Sequence, residues 1–383
     1  MIAVIADDLT GAAELGGIGL RYNLSVEVAL EVDPQSKADL VVIATDARSK
    51  PEAEAVAEMV EVSKAIAKLQ PGLIFKKVDS VLRGHVLPEI QAQLSAFDFD
   101  HALIVPANPA LGRTIEDGNY LIYGKPIVET GFKDDPEFPV TSSRITEMLK
   151  AEDGQVQVLK HQDLLDSPGV IVGEAATNED LKAWAKHFGK HSLFSGGAGF
   201  FTALLDSLDI KVDALDRSIA PFSGVKLYVS GTAFSNSAIR IESLEKTGLV
   251  VYMPSNLFEG KNISHEGLRD WKEEVLKRLK EFGTAIIAID PKEREGRDIS
   301  ALELRERTAL VVQEVFAATE IDELIIEGGS TASAIFRTIG LKTLYPKVEY
   351  APGVIRSEAI EKPGLHVTLK PGSYNWPKEI WSF

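Results

Sequence analysis

Residues 39–80 read DLVVIATDARSKPEAEAVAEMVEVSKAIAKLQPGLIFKKVDS. LVVIA is short, apolar and β-branched, and it runs into the polar turn TDARS, so it predicts a buried strand and a loop. Pro51 then opens a stretch with apolar residues at helical spacing, and Pro71 and Gly72 close it. That pattern predicts a helix. GLIFKKVDS returns to a strand. A strand, a helix and a second strand make the unit that builds a parallel sheet covered by helices.

The same rhythm extends outward. IAVIA at 2–6 is a strand that runs into ADDLTGAAELG. VLPEIQAQLSAF at 86–97 reads as a helix, and HALIVPANPA at 101–110 as a strand ending in a loop. The rhythm breaks over LDSLDIKVDALDRSIAPFSG, residues 205–224, which is polar and ends in a proline and a glycine. A second series follows. VKLYVSGTAFS is strand and loop, NSAIRIESLEKTG a helix with a glycine stop, and VVYMP a strand. GLRDWKEEVLKRLKEFG is a helix, TAIIAI a strand, SALELRERTALVVQEVFAAT a helix, and DELIIEGGS a strand entering a glycine turn. The charged stretch PKEREGRDIS at 291–300 is expected to be a solvated loop. The fold class is therefore α/β: two α/β domains with mainly parallel sheets, residues 1–214 and 215–383, the boundary near 215 give or take about ten residues. No full-length internal repeat is visible at the sequence level.

Composition narrows the chemistry. The chain has 383 residues, 45% of them hydrophobic, and no cysteine, which removes disulfides, thiolate metal sites and cysteine nucleophiles. The formal net charge of −16 argues against nucleic acid, whose binding rests on phosphate neutralisation. No apolar run approaches the roughly 20 residues of a membrane span. Residues 1–6 read as a buried strand rather than a leader, so a cytoplasmic location is the expectation. The histidines show no HExxH spacing; His187 and His191 are four apart but lack an acidic partner motif. Neither GxSxG, a P-loop nor GxGxxG is present.

Polar residues gather where the predicted strands end, the edge at which open parallel sheets bind ligands. They are Asp7, Asp8 and Thr10; Asp46 and Arg48; Lys76, Asp79, Ser80 and Arg83; and Asn108, Arg113 and Thr114. Taken singly, Asp8 could cap a helix and Asp79 with Arg83 could be an i,i+4 pair. Taken together they suit a small polyhydroxy acid, because arginine grips carboxylates through a planar fork and carboxylates accept from hydroxyls. The C-terminal half carries a different signal. SGT at 230–232, GGST at 328–331 and KPG at 370–372 are small-residue turns at strand ends. There, backbone amides and hydroxyls can approach a phosphate closely.

These motifs resemble the four-carbon acid sugar kinases, which phosphorylate threonate, erythronate or 3-oxo-tetronate with ATP. The resemblance is carried by ADDLTGA at 6–12, KVDSVLRG at 77–84, PANPALGRT at 106–114 with Gly118 and Gly124 to Pro126, SGTAFS at 230–235, Gly328 to Ala332, and Lys370 to Asn375. Val81, His85, Ser330 and the Tyr374-Asn375 pair depart from the residues common there. The resemblance implies a sugar-acid domain at 1–214, a nucleotide domain at 215–383 and an active site in the cleft between them. It implies Asp8, Asp79 and Arg83 as catalytic, with Asp8 favoured over Asp79 to receive the hydroxyl proton. It implies Asp7, Thr10, Arg48, Lys76 (or Lys77), Ser80, Asn108 and Arg113 on the substrate side, Asp7 supporting the turn or attracting magnesium. Ser230, Gly231, Ser235, Gly328, Gly329, Ser330, Thr331 and Gly372 would hold the nucleotide. ATP and magnesium would be required, and a homodimer would be ordinary for such an enzyme. A non-catalytic sugar-acid sensor and a sugar-acid dehydrogenase are the rival readings; the latter lacks its dinucleotide fingerprint.

Overall fold

A computed structural model describes residues 1–134, 138–163, 168–187, 192–208, 210, 221–231, 235–259, 263–372, 374–381 and 383. Contacts divide the chain into two compact units, Met1–Ala214 and Leu215–Phe383. The stretch 211–220, where the sequence rhythm breaks, lies outside the described residues, as does His191.

The first unit contains strands β1 (Ile2–Ala6), β2 (Val26–Ala29), β3 (Leu40–Ala44), β4 (Leu73–Lys77), β5 (His101–Val105), β6 (Arg113–Glu116), β7 (Asn119–Ile122), β8 (Lys125–Pro126), β9 (Val156–Leu159), β10 (Gly169–Gly173) and β11 (Ser192–Gly196). Its helices are α1 (Leu9–Arg21), α2 (Glu52–Ala67), α3 (Val86–Phe97), α4 (Ile145–Met148), α5 (Asn178–Ala185) and α6 (Ala198–Ser207). Within this unit the sheet order is β2-β3-β1-β4-β11-β5-β10-β9, every pair parallel. β1 and β3 are buried at every residue, which is why they read as unbroken apolar runs. α1 is built from small residues because it packs tightly: a Cβ on Gly19 would fall 2.4 Å from Leu40 Cδ2. A separate antiparallel sheet, β6-β7-β8, has no counterpart in the β–α alternation.

The second unit contains β12 (Lys226–Ser230), β13 (Val250–Tyr252), β14 (Thr284–Ala288), β15 (Glu323–Glu327), β16 (Thr343–Ala351), β17 (Val354–Ala359) and β18 (His366–Lys370). Its helices are α7 (Ser235–Ser243), α8 (His265–Phe282), α9 (Pro291–Arg294), α10 (Ala301–Ala318) and α11 (Gly329–Ile339). The order is β13-β14-β12-β15-β18-β17-β16; the first five strands are parallel, and β17 pairs antiparallel with both β18 and β16. The stretch 291–300 is not wholly loop. Pro291 at the first helical position and the Asp290 cap start the one-turn α9, and the Ser300–Glu303 capping box starts α10. The C-terminal residues fold back on the core: Trp376 stacks on Trp381 at 5.7 Å, and the Tyr228 hydroxyl donates to the Ile380 carbonyl at 2.8 Å.

The two units share the topology of their first four strands. In each, the chain leaves a central strand (β1 or β12) for two strands on one side. It then crosses back to a strand on the other side (β4 or β15). The crossing point is where open α/β sheets bind ligands, just beyond the strand C-termini.

One charge in the first core bears directly on stability. Lys76 is fully buried, and its ammonium meets Glu89 Oε2 at 2.5 Å. Glu89→Gln strands that ammonium and is expected to destabilise the protein by about 3–5 kcal/mol, read from urea and thermal melts.

Candidate functional site

At the crossing point of the first unit, β3, β1 and β4 stand side by side, so the residues that follow them are neighbours. After β1, Asp8 caps α1: its Oδ1 accepts from the Gly11 amide at 2.6 Å and its Oδ2 from the Thr10 hydroxyl at 3.1 Å. Gly11 is required there, since a Cβ would sit 2.6 Å from Asp8 Oδ1. After β3, a left-handed Asp46 turns the chain into a short helical turn that carries Arg48. Arg48 Nη2 donates to Asp8 Oδ2, and Nη1 donates to Asp79 Oδ1 at 2.8 Å. One guanidinium therefore joins the ends of β1 and β4.

Asp79 is the more constrained carboxylate. It accepts from Arg83 through Nε at 2.9 Å and Nη2 at 2.7 Å, and from the amides of Val81 and Arg83 at 3.1 and 3.2 Å. With Arg48, five donors converge on a group that offers about four lone-pair sites. Asp8 receives three, so an acceptor position remains on it. Burial would raise both acids. The Arg83 and Arg48 guanidiniums and Lys77 instead hold Asp79 far below the ordinary carboxylate range, and Arg48, Lys77 and the Gly11 amide lower Asp8. Asp7 goes the other way. Burial and the adjacent Asp8 charge raise it to about 6 against the pull of Arg48, which lies 3.9 Å away, and of Lys76 and Lys77, and its Oδ1 has no hydrogen-bond partner among the described residues.

The rest of the rim attaches to this centre. Arg113 Nη1 donates to the Ser80 hydroxyl, and the buried Tyr120 hydroxyl donates to the Ser80 carbonyl at 2.5 Å. Asn108 and Arg113 exchange backbone hydrogen bonds at 2.8 and 3.1 Å, so the Asn108 backbone forms the turn that presents Arg113. Lys76 is the residue that stands apart: its ammonium turns into the core against Glu89 and Met59. Lys77 is the lysine whose charge lowers both Asp8 and Asp79.

The second unit presents its own constellation at the equivalent crossing point. Ser230 ends β12, Glu327 ends β15 and Lys370 ends β18. Gly231 lies so close to α11 that a Cβ would fall 2.0 Å from Thr331 Oγ1, and Thr331 donates to the Gly231 carbonyl at 3.3 Å. Gly328, at φ +105°, takes a conformation that side-chain-bearing residues rarely adopt. Gly329, Ser330 and Thr331 then form the first turn of α11, which starts without a side-chain cap. Gly372 follows β18 in the third turn. The Ser235 side chain lies outside the described residues. Beside Ser230, between the ends of β12 and β14, a cavity of about 370 Å³ is lined by Ala238, Ile241, Tyr252, Ala288, Ile289, Pro291, Arg294 and Glu295.

Sequence reading did not single out Glu327, Ser237 or Tyr120, and it left Lys76 and Lys77 as alternatives. Glu327 carried a signal: a carboxylate closing the buried strand ELIIE needs a partner. Ser237 and Tyr120 carried none, because their partners are distant in sequence. Among the described residues no group of three or more His, Asp or Glu side chains could by itself hold a metal ion, and no helix is long and apolar enough to cross a membrane.

The model of a family described as a sugar-binding N-terminal domain matches residues 2–204, and that of a nucleotide-binding C-terminal domain matches residues 227–374. A D-threonate kinase of Salmonella typhimurium is 26% identical over 91% of this chain and 89% of its own length. A 3-oxo-tetronate kinase of Brucella melitensis is 25% identical, covering 97% and 92%. A D-erythronate kinase of Heliobacterium modesticaldum is 31% identical over 47% of this chain and 46% of its own. In fold, a crystal structure of a Salmonella typhimurium LT2 protein superposes with a TM-score of 0.77 at 18% identity, covering 98% and 96% of the two chains. A Haemophilus influenzae protein gives 0.71 at 21%, covering 98% of each.

Asp7 sets a pH dependence whose sign is fixed. Its carboxyl holds a proton more tightly folded than unfolded, so it costs stability as pH rises from the unfolded value near 4 through about 6. Asp7→Asn removes that cost. Its melting temperature is expected to exceed that of the unsubstituted protein at about pH 7.5, and the two are expected to converge below about pH 4.

Proposed function

The chain belongs to the four-carbon acid sugar kinase family, and from that we propose that it transfers the γ-phosphate of ATP to a hydroxyl of a four-carbon sugar acid. The observation that carries this reading is the division of chemistry between the two units. A carboxylate–arginine–hydroxyl cluster occupies the crossing point in the part matched as sugar-binding. Close-approach glycine turns occupy the same point in the part matched as nucleotide-binding. A sensor would have no use for the second constellation.

In this reading the acid binds at the first unit's rim. Arg113, held to Ser80 through one nitrogen, presents its remaining donors to the substrate carboxylate. Asp8 accepts the hydrogen bond of the attacking hydroxyl at its remaining acceptor position and takes the proton as the phosphoryl group arrives. Asp79, with its acceptor sites filled, keeps Arg48 and Arg83 in place rather than acting as the base. Phosphoryl transfer asks mainly for alignment and charge neutralisation, which Arg48, Arg83 and Lys77 supply on this side. The turns at Ser230-Gly231, Gly328 to Thr331 and Gly372 surround the phosphates, and the mostly apolar cavity beside Ser230 receives the base. Magnesium would come with the nucleotide phosphates rather than on a carboxylate cluster of the described residues, and would supply further charge neutralisation there.

Turnover is the direct test. ADP release is measured with ATP and magnesium against D- and L-threonate, D- and L-erythronate, 3-oxo-tetronates, longer aldonates and glycerate. Turnover confined to one or a few four-carbon acids is expected, and silence across the panel refutes the reading. Within it, Asp8→Asn is expected to lower kcat by about 10²–10⁴ with little change in KM for ATP. A variant keeping more than about a tenth of kcat assigns the proton to another group. Arg113→Lys is expected to raise KM for the acid by about tenfold, through loss of the fork, and to spare KM for ATP.

A further inference from the structure

Ser230, Glu327 and Lys370 stand in register at the last ladder position of three adjacent parallel strands. In a parallel ladder such residues share one face of the sheet and lie about 5 Å apart. Here all three are joined through Glu327. Its Oε1 accepts from Lys370 Nζ at 2.7 Å and from the Ser237 hydroxyl of α7 at 2.6 Å, and its Oε2 accepts from the Ser230 hydroxyl at 3.2 Å. Lys370 extends the network in the other direction, donating to the carbonyls of Pro371 at 2.7 Å and Tyr374 at 2.6 Å. Gly372 O lies farther away, at 3.5 Å.

An ammonium has three hydrogens to donate. Glu327, Pro371 and Tyr374 use all of them, the side chain is fully buried, and the Trp376 ring covers it at 5.2 Å. Although it opens a phosphate-type turn, Lys370 therefore has no donor left for a phosphate oxygen. Its burial pulls the ammonium below the ordinary lysine value, against the opposing pull of Glu327. A buried ion pair is a weak means of stabilising a core, because desolvation offsets most of the attraction. What this pair does that apolar residues could not is hold the carbonyls of one turn and the hydroxyl-bearing ends of two other elements at fixed positions. The backbone continues the linkage: the Gly231 amide donates to Glu327 O at 3.1 Å, and the Gly328 amide to Lys370 O at 3.0 Å.

We infer that Glu327 and Lys370 are positioning residues of the nucleotide site: together with Ser237 they lock the turns after β12, β15 and β18 in their binding arrangement before nucleotide arrives. Neither side chain touches the nucleotide; they act through Ser230, Gly231, Gly328 and Gly372. The inference rests on the nucleotide reading of this unit, and ordering the turns in advance lowers the entropy that binding must overcome.

The test is calorimetric titration of MgADP and of the sugar acid into the full chain, with circular dichroism and a thermal melt to establish folding. Lys370→Met alone leaves a buried unpaired carboxylate, so the double variant Glu327→Leu/Lys370→Met, which removes both charges, is the informative one. It is expected to melt cooperatively, to bind MgADP at least about tenfold more weakly and to bind the sugar acid within about twofold of the unsubstituted protein. KM for ATP should rise far more than kcat falls. A folded double variant with unchanged MgADP affinity overturns the inference. Ser237→Ala loses one hydroxyl and is readable whatever the double variant does. It is expected to weaken MgADP about threefold or more, and Ser237→Thr to recover most of that loss. Unchanged affinity in Ser237→Ala also overturns it. An unsubstituted protein that binds no MgADP would instead overturn the nucleotide reading on which the inference stands.

Discussion

The candidate sites of both units depend on the parallel ladders of their central strands. Strands such as β1, β3, β12 and β15 are covered on both faces, so their interiors must be apolar, and polar groups can collect only where the ladders stop. Parallel pairing then puts all the stops on one edge. Asp8 and Asp79 meet because β1 and β4 pair from Ile2 opposite Leu73 to Ala6 opposite Lys77. A slip of one residue would turn each side chain to the other face of the sheet and disperse the cluster.

Charge concentrated on that edge has to be satisfied, and the two units do it differently. The first spreads it: Arg48 spans two aspartates, Arg83 doubles the hold on one of them, and Asp7 is left with an oxygen unpartnered among the described residues. The outcome is a rim whose acids have well separated proton affinities, an arrangement typical of sites that handle protons. The second unit concentrates it: one carboxylate and one ammonium, both buried, carry the linkage of three turns. The first arrangement leaves acceptor and donor capacity for a ligand. The second uses up the capacity of its charged pair and leaves hydroxyls and backbone groups at the surface of the turns.

The common strand plan of the units gives this contrast its meaning. Both place the central strand between a pair reached first and a strand reached by crossing back, although no full-length repeat is visible in the sequence. Backbone topology can repeat where side chains do not, because what it requires is apolar strands, covering helices and turns of suitable length. The residues at the crossing points are then free to differ, and here one unit carries an arginine-bridged pair of aspartates and the other close-approach glycine turns around a buried ion pair.

The sequence by itself determined the α/β alternation, the mainly parallel sheets and the presence of polar clusters at strand ends. Those are local properties, written in apolar runs, helical spacing and glycine or proline stops. It also identified the family through motifs such as ADDLTGA, whose residues are contiguous. Only the tertiary structure decided which of two adjacent lysines is paired inside the core and which acts on Asp8 and Asp79. Lys76 and Lys77 alternate across β4, one toward Glu89 and the other toward the cluster. It alone separated Asp8 from Asp79 by counting the donors each receives. It alone showed Ser237 and Glu327 joined across 90 residues of chain, and the antiparallel strands β16 and β17 beside a parallel core. The reason is physical: pairing across strands is set by register and burial, and residues far apart in sequence leave no periodic trace of the neighbours they will have.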